Sequence, residues 1–561
     1  MRKTKIFLIF VFIIVLYNSQ FSDSLTRIYI NGKVFTGIKD GLNEAFVIRG
    51  GRILFTGGME KALRFSSGKK SNIIDLKGKT VIPGFHDADI NFPLGARLMD
   101  SDLNFYGIDL DSILHRLKVK KKDLVEKNPI YGYNFEHLLR ENGKWPNKYD
   151  LDKVSIDSPV IIFSSDGNNA WVNSNVLKLC GIEKDTPEIP GGRIVRFEDN
   201  DPTGILCGNS IKLLKNFNFK KGLKSIKLDK KTILNAMKYA NSLGLTSVTT
   251  LGDLEFVKIL KELESEKMLT LRFNIILPSK NIGGYLIKKL DFNSGTSFVR
   301  VISVSKTIDG NLYTSDAAMF SSYSDRNYYG FLRSNKNDIS DLVNLYKKNG
   351  IIGNFYAEGD RAVHIVLNAI RAATRRNKVN LDRRRISNFI FAINEDIPRL
   401  KLLSVIPVMR PGSFINKFEY IERIVGQRKA GNALRASTLR SMGVQVAFGS
   451  GWPGELLDPL SGIMFSVFRV FKGDQNEKNG WFLEEKLSMR DAISAYTYVP
   501  SYSVFNEKRT GVIANGRFAD LTIIEGDIFS EKPSVKNFSS DIRVVETLIG
   551  GKTVFKKSEL N

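Results

Sequence analysis

The histidines of the chain bear on metal chemistry, because neutral imidazole is a common protein ligand of zinc and iron. The chain has four, His86, His115, His137 and His364, and no two stand at the spacing of a ligand pair. His115 and His364 lie inside helical patterns, and His137 lies near one. No Cys-x-x-Cys or mixed Cys/His pattern occurs. These residues alone therefore indicate no zinc, iron or thiol redox site.

Side chains that act as nucleophiles are also few. Ser450 follows an apolar run, but it stands in Gly-Ser-Gly-Trp rather than Gly-x-Ser-x-Gly. No histidine is placed to serve as its base. The two cysteines, Cys180 and Cys207, form a disulfide in an oxidising compartment or remain two buried thiols, and the sequence leaves both alternatives open.

The elements that position these residues follow one pattern over residues 86–490. Short apolar runs alternate there with helical stretches, at 158–165, 245–253, 298–305, 351–360, 385–393, 402–411 and 444–453. Continuous apolar strands separated by helices indicate a parallel sheet. Seven or eight such units in ~400 residues predict an α/β fold, a (β/α)8 TIM-like barrel with insertions. Active sites of such barrels lie where the strands end, so the residues that close each run should share one mouth.

Both flanks of this region have hairpin patterns instead. Residues 26–80 contain alternating strands joined by Asn-Gly and Gly-Gly turns, and hairpin-like strands return after residue 510. We therefore predict a small β-sandwich formed from both termini, with its parts at 25–85 and 491–561 and the barrel at 86–490.

The N-terminal 24 residues are typical of a targeting segment. Arg2, Lys3 and Lys5 precede an apolar stretch at 6–17, which is shorter than the roughly 20 residues of a spanning helix. We expect a signal peptide or an uncleaved short anchor. The body is then secreted, held in the ER lumen or anchored, and this segment is its only expected contact with a membrane core.

The net charge of +24 raises the question of anionic partners. Lysine and arginine are spread along the chain, and the runs at 118–123 and 381–385 are short and lack interleaved aromatic residues. This distribution favours a solvated basic surface over a nucleic-acid site. A basic surface that docks on anionic membrane or glycan remains an alternative.

Seven segments, in order, resemble the amidohydrolase superfamily, in particular the branch that includes N-substituted formamide deformylase. They are residues 157–177, 201–206, 243–253, 356–370, 446–453, 458–469 and 516–524. The resemblance runs from about residue 27 to 555. It implies the barrel and sandwich fold, hydrolysis of non-peptide C–N bonds, and zinc or another divalent metal that activates water in the barrel mouth.

The positions that the resemblance assigns to metal and catalysis hold other residues here. Where the family's first strand ends in Gly-Phe-Ile-Asp-Ser-His-x-His, Asp89 and Asn91 replace the histidines. His86 is offset by three residues, which places it on the opposite face of the strand. The other family histidine and lysine positions hold Asn168, Ser305, Tyr356, Asn388 and Ser413, and the position of the catalytic aspartate holds Gly451. Lys306 follows Ser305 and points away from the mouth unless a bulge shifts it.

We therefore predict a pseudoenzyme with no intact catalytic residue, no metal ligand and no expected cofactor. Its mouth is then a polar pocket for an unknown small polar ligand, or the barrel is only a scaffold. One alternative is an active C–N hydrolase with oxygen ligands for a hard cation, although Asp89 is the single anion of that set, with Glu358 nearby in sequence. The other is the basic surface module.

Overall fold

The computed structural model describes residues 25–558, apart from 39–40, 68–69, 100, 125–127, 140–144, 216, 218, 224–225, 293, 325, 375–381, 416, 471–479 and 531–533. The predicted signal peptide or anchor at 1–24 lies outside these residues. Within the described part, no helix has the length and apolar character needed to cross a membrane.

Eight strands form a nearly closed parallel barrel, which confirms the predicted TIM-like fold. In chain order they are Phe85–Ile90, Leu245–Leu251, Arg272–Pro278, Val299–Thr307, Gly353–Tyr356, Arg385–Ser387, Ile406–Met409 and Ala447–Phe448. The Gly451 N–H donates to the Asp89 carbonyl at 2.9 Å, and the Asn91 N–H donates to the Trp452 carbonyl at 2.8 Å. These two bonds join the segment after the eighth strand to the end of the first. All six residues of the first strand are buried, as expected for a strand covered on both faces.

A separate five-stranded sheet lies between the first and second barrel strands in the chain. Its strands are Ile130–Tyr133, Val160–Phe163, Asn169–Val172, Gly192–Arg196 and Pro202–Gly208. The prediction that residues 158–165 form a barrel strand is therefore wrong. Val160–Phe163 pairs antiparallel with Asn169–Val172 instead. The turn between them is held by Ser164 Oγ, which accepts the N–H groups of Asn168 and Asn169. A four-residue apolar run is buried in either sheet, so its pattern alone does not distinguish the two.

Strands from both termini form two further sheets, as the fold prediction required. One sheet contains Arg52–Gly57, Ala45–Arg49, Thr26–Ile30 and Ser71–Asp75, and the other contains Lys33–Val34, Thr80–Pro83, Leu521–Glu525, Arg543–Ile549 and Lys552–Lys556. Phe46 and Ile53 of the first sheet share one apolar core with Val81, Leu521 and Leu548 of the second. Burial of these side chains holds the two sheets together.

By its contacts, the chain divides into two compact units. One contains the described residues up to His86 with 238–247 and 497–558, and the other contains 87–237 and 248–496. The predicted domain bounds at 85/86 and 490/491 stay a prediction.

The α-helices follow the strands. They are Met59–Leu63, Phe92–Leu98, Leu110–Lys122, Lys148–Asp152, Ser174–Cys180, Phe219–Leu223, Lys230–Ser242, Leu254–Ser265, Ile282–Ile287, Lys336–Lys348, Asp360–Ala373, Ile397–Leu402, Phe418–Val425, Gln427–Ala430, Ala436–Ser441, Pro459–Phe468, Met489–Ala495, Tyr498–Ser503 and Val535–Asp541. Several begin after a side chain that accepts the first free N–H groups, for example Asp253 and Asp458. His115 and His364 lie in helices, as predicted. Cys180 and Cys207 are both buried free thiols and form no disulfide with each other.

Candidate functional site in the barrel mouth

The ends of the barrel strands surround a cavity of about 770 Å³. It brings together six of the seven residues that stand at the family's histidine and lysine positions, and Gly451 with them. These six are Asp89, Asn91, Asn168, Ser305, Tyr356 and Asn388. Asn168 reaches this cavity from the turn between Val160–Phe163 and Asn169–Val172 of the five-stranded sheet, rather than from a barrel strand. His86 is buried and does not line the cavity.

The centre of the mouth is a charge-neutralised cluster around Asp89. The Tyr356 hydroxyl donates to Asp89 Oδ1 at 2.8 Å, and Arg410 donates to Asp89 Oδ2 from Nε at 3.0 Å and from Nη2 at 2.7 Å. The Asp89 side chain is 2% exposed and that of Arg410 is 22% exposed. Burial, and then the Asp89 charge, raise the pKa of Tyr356 well above its ordinary value, so this hydroxyl keeps its proton and donates. Burial alone would lower the pKa of Arg410, but Asp89 more than offsets this, so Arg410 stays a cation.

Arg410 also fills the space next to Gly451. The backbone of Gly451 has a φ of +81°, and a Cβ built there would lie 2.8 Å from Cδ, Nε and Cζ of Arg410. The position at which the resemblance expects an aspartate side chain therefore faces a guanidinium group. Sequence reasoning missed Arg410. Its one signal was a cation at the end of an apolar strand.

A second polar layer contains two buried carboxyl groups. Asp309 accepts backbone N–H groups from Ala318, Glu358 and Gly359 at 2.9 to 3.1 Å. Glu358 accepts the Leu312 N–H at 2.7 Å and the side-chain amide of Asn388. Burial raises the pKa of Asp309 to about 7, while burial and then Asp309 raise the pKa of Glu358 to about 8. Carboxyl groups that are partly protonated near neutral pH are able to donate a hydrogen bond or a proton to a bound ligand.

The remaining predicted positions carry local structural contacts. Asn91 Oδ1 accepts the Leu94 N–H at 3.3 Å and so caps the helix Phe92–Leu98. The Asn168 amide donates to Asp166 Oδ2 at 2.6 Å. The Ser305 hydroxyl donates to the Leu277 carbonyl at 3.4 Å.

Two further predicted positions differ in their access to the mouth. Ser413 donates to the Arg410 carbonyl at 2.7 Å and is not part of the cavity wall. Lys306 does line the mouth. Its strand has a register irregularity, since Val301 pairs with Ile275 whereas Ser303 pairs with Ile276. The predicted orientation of Lys306 depended on such an irregularity in its strand, and Lys306 faces the mouth.

A nearly closed parallel barrel with a polar mouth at its strand ends, joined to a sandwich from both termini, defines a TIM-like barrel of the hydrolase type. The chain belongs to the Amidohydrolase family, whose profile matches residues 72–555. The resemblance stated from the sequence motifs is thereby confirmed.

Relatives match the chain over most of its length. Protein LONG AFTER FAR-RED 3 of Arabidopsis thaliana is 25% identical, covering 94% of this chain and 91% of its own. N-substituted formamide deformylase of Arthrobacter pascens is 24% identical, covering 89% and 93%. The solved structure of an uncharacterized metal-dependent hydrolase from Pyrococcus furiosus is 25% identical with a TM-score of 0.66, covering 90% of this chain and 100% of its own.

The prediction that no cofactor is expected is wrong for a chain of this family. The Pyrococcus furiosus structure is of a metal-dependent hydrolase, so a metal is expected for this fold. The residues of this mouth nevertheless do not fit that metal. Both oxygens of Asp89 are engaged by Tyr356 and Arg410. Among the residues that the structure describes, no group of three or more His, Cys, Asp or Glu side chains is placed to hold a metal ion.

Proposed function

We propose that this amidohydrolase-family protein binds a small polar ligand in its barrel mouth and does not hydrolyse it. The family's hydrolysis of C–N bonds needs an activated water and a group that accepts its proton. The proposal is that the mouth has kept the shape of a binding site while the groups for those two tasks have been replaced.

The Arg410–Asp89 pair is the observation that supports this proposal. A carboxylate acts as a general base, or as a ligand, through a free lone pair directed at the reacting group. Asp89 instead accepts hydrogen bonds on both oxygens and is almost fully buried. Breaking this pair would leave the buried Asp89 carboxylate without its cation, which is unfavourable by several kcal/mol. The pair therefore favours a fixed pocket wall over a reactive centre.

The chemistry of the cavity wall supports binding of a polar molecule. The amide groups of Asn91, Asn168 and Asn388 and the hydroxyl of Thr307 line a cavity of a size that suits a small molecule. Asn388 is held by Glu358, and Asn168 by Asp166, so these amides have defined orientations. A pocket with fixed polar groups recognises a ligand without reorganising, which favours affinity.

A combined turnover and binding assay tests the proposal. The purified full chain, supplied with Zn²⁺, is incubated with N-benzylformamide, and release of benzylamine is measured against a buffer blank. Saturation-transfer NMR then measures binding of formamide and glycine to the same protein. We expect no benzylamine above the blank and saturable binding of at least one probe.

Matched variants locate the binding. Thr307→Trp places an indole ring on the cavity wall, and Lys258→Trp places the same ring on the exposed face of the helix Leu254–Ser265. We expect the probe signal to disappear in the first variant and to remain in the second. Benzylamine release that scales with protein concentration and is lost in Asp89→Asn would overturn the proposal in favour of an active hydrolase.

A further inference from the structure

Three of the cationic side chains that line the mouth have no ion-pair partner among the residues that the structure describes. They are Lys212, Lys306 and Arg333, which we call the rim cations. Lys212 is exposed, and the other two are half-buried. None of the three forms an ion pair with a carboxylate of the described residues, although ion pairs are common elsewhere in the chain. Cations gathered at one cavity without counter-charges are an electrostatic feature that a ligand is able to use.

Chain packing brings the rim cations together from three segments. Lys212 lies in the 3-10 helix Asn209–Leu214, directly after Gly208. A Cβ built at Gly208 would lie 2.4 Å from the Phe331 ring, so this segment packs closely against the one that carries Arg333. The Arg333 N–H donates to the Ile308 carbonyl at 2.8 Å, two residues beyond Lys306.

The rim cations also interact with one another electrostatically. Burial lowers the pKa of Lys306, the charge of Asp338 opposes this effect, and the charges of Arg333 and Lys212 each add a smaller lowering effect. Burial lowers the pKa of Arg333, and the charges of the carboxylates Asp166 and Asp309 oppose this with smaller raising effects. Like charges held together in a partly buried mouth repel, and an anion placed among them relieves that repulsion.

The inner mouth compensates this charge only in part. Asp89 is already neutralised by Arg410. Burial holds Asp309 and Glu358 partly protonated near neutral pH, as described above. Asp166 lines the same cavity and raises the pKa of Arg333, so it offsets part of the rim charge, although its hydrogen bonds come from Ser164 and Asn168. The uncompensated charge of the cavity wall is therefore positive on the rim side.

We propose that the rim cations hold a doubly charged oxyanion group, such as the phosphate of a small phosphomonoester, while the polar remainder of that ligand occupies the mouth. This inference rests on the proposed function, since it names the class of ligand for the same cavity. Arginine offers two parallel N–H donors to such a group, and lysine supplies a mobile point charge.

Isothermal titration of the full chain with inorganic phosphate tests the inference, with acetate at matched ionic strength as the singly charged comparison. We expect phosphate to bind at least about tenfold more tightly than acetate, because three cations compensate two charges better than one. We expect Lys306→Gln, Arg333→Gln and Lys212→Gln each to weaken phosphate binding by about tenfold. Lys258→Gln, the same charge change on an exposed helix surface, should leave the affinity within about twofold.

Lys212→Gln keeps the test decisive, because this side chain is exposed and its replacement removes no packing. Equal binding of phosphate and acetate, or equal losses in Lys212→Gln and Lys258→Gln, would overturn the rim site. If phosphate fails to bind while formamide or glycine still binds and is blocked by Thr307→Trp, the rim inference fails and the proposed function stands. If benzylamine is released while Lys306→Gln abolishes phosphate binding, the proposed function fails and the rim site stands.

Discussion

Arg410 occupies the space into which a side chain at residue 451 would project. The chain has glycine at residue 451, and a Cβ there would meet three atoms of the Arg410 side chain at 2.8 Å. The glycine at one strand end and the guanidinium at the neighbouring one are thus parts of one packing arrangement. Restoring an aspartate at residue 451 alone would not restore the family's site, because Arg410 would still be in the way.

Gly451→Asp should destabilise the protein by about 2–4 kcal/mol, since it combines overpacking against Arg410 with a positive φ. Gly516→Asp is the matched control, because Gly516 has a φ of +80° and open space around its Cβ position. We expect the control to lose only about 1 kcal/mol from backbone strain. Urea unfolding of both variants measures the difference. Equal losses would mean that Arg410 does not contact residue 451.

Asp89 and Arg410 should be strongly coupled in a double-mutant cycle. Asp89→Asn leaves a buried cation and Arg410→Met leaves a buried anion, so each single variant should lose about 3 kcal/mol of unfolding free energy. The double variant should lose about 2 kcal/mol less than the sum, since neither charge remains unpaired. Tyr356→Phe, which removes one neutral donor to Asp89, should lose only about 1 kcal/mol. Additive losses for Asp89 and Arg410 in denaturant titrations would contradict the ion pair.

Stability should fall as the pH rises from about 5 to about 8. The folded-state pKa values of Asp309 and Glu358, about 7 and about 8, lie above their ordinary values of 3.8 and 4.5. The folded state therefore binds more protons than the unfolded state between these limits. Stabilisation from the protonated carboxyls is fully present below pH 4 and is lost as the pH rises through the folded pKa values.

Glu358→Gln tests that pH dependence, because glutamine stays neutral in the same buried position. The fall in unfolding free energy between pH 5 and pH 8 should be smaller in this variant, by an amount on the order of a few kcal/mol. Glu255→Gln, on the exposed first turn of the helix Leu254–Ser265, should keep the wild-type slope. Thermal unfolding across this pH range gives the comparison, and an unchanged slope in Glu358→Gln would rule out this carboxyl as its source.

Gly95 and Trp452 form a close contact behind the mouth. A Cβ at Gly95 would lie 2.1 Å from the Trp452 ring, so Gly95→Ala should destabilise by about 1–3 kcal/mol although alanine favours a helix. Gly284→Ala, in the helix Ile282–Ile287 with nothing near the new methyl group, should instead be stabilising by about 0.5–1 kcal/mol. Melting temperatures of the two variants should therefore move in opposite directions. An increase in melting temperature for both variants would show that the Trp452 ring moves aside to accommodate the new methyl group.

The barrel and the sandwich were predictable because their signals are local. Apolar runs between helical stretches and short hairpins at the flanks follow from neighbouring residues, and seven ordered motifs identified the family. The residue types at the positions that the resemblance assigns to ligand histidines and the lysine were equally visible, and the cavity brings six of those positions together. The strand at Val160–Phe163 was misplaced, because a short apolar run is buried in a barrel and in a separate sheet alike.

Sequence by itself determined which side chains stand at the strand ends, since residue type and spacing are properties of the chain. Only the tertiary structure decided how they act on one another. Three features depend on residues that are distant in the chain. They are the contact of Arg410 with Asp89 and Gly451, the raised pKa values of Asp309 and Glu358, and the position of the three rim cations at one cavity. Such effects depend on distance and burial, because Coulomb interactions and desolvation act through space rather than along the sequence.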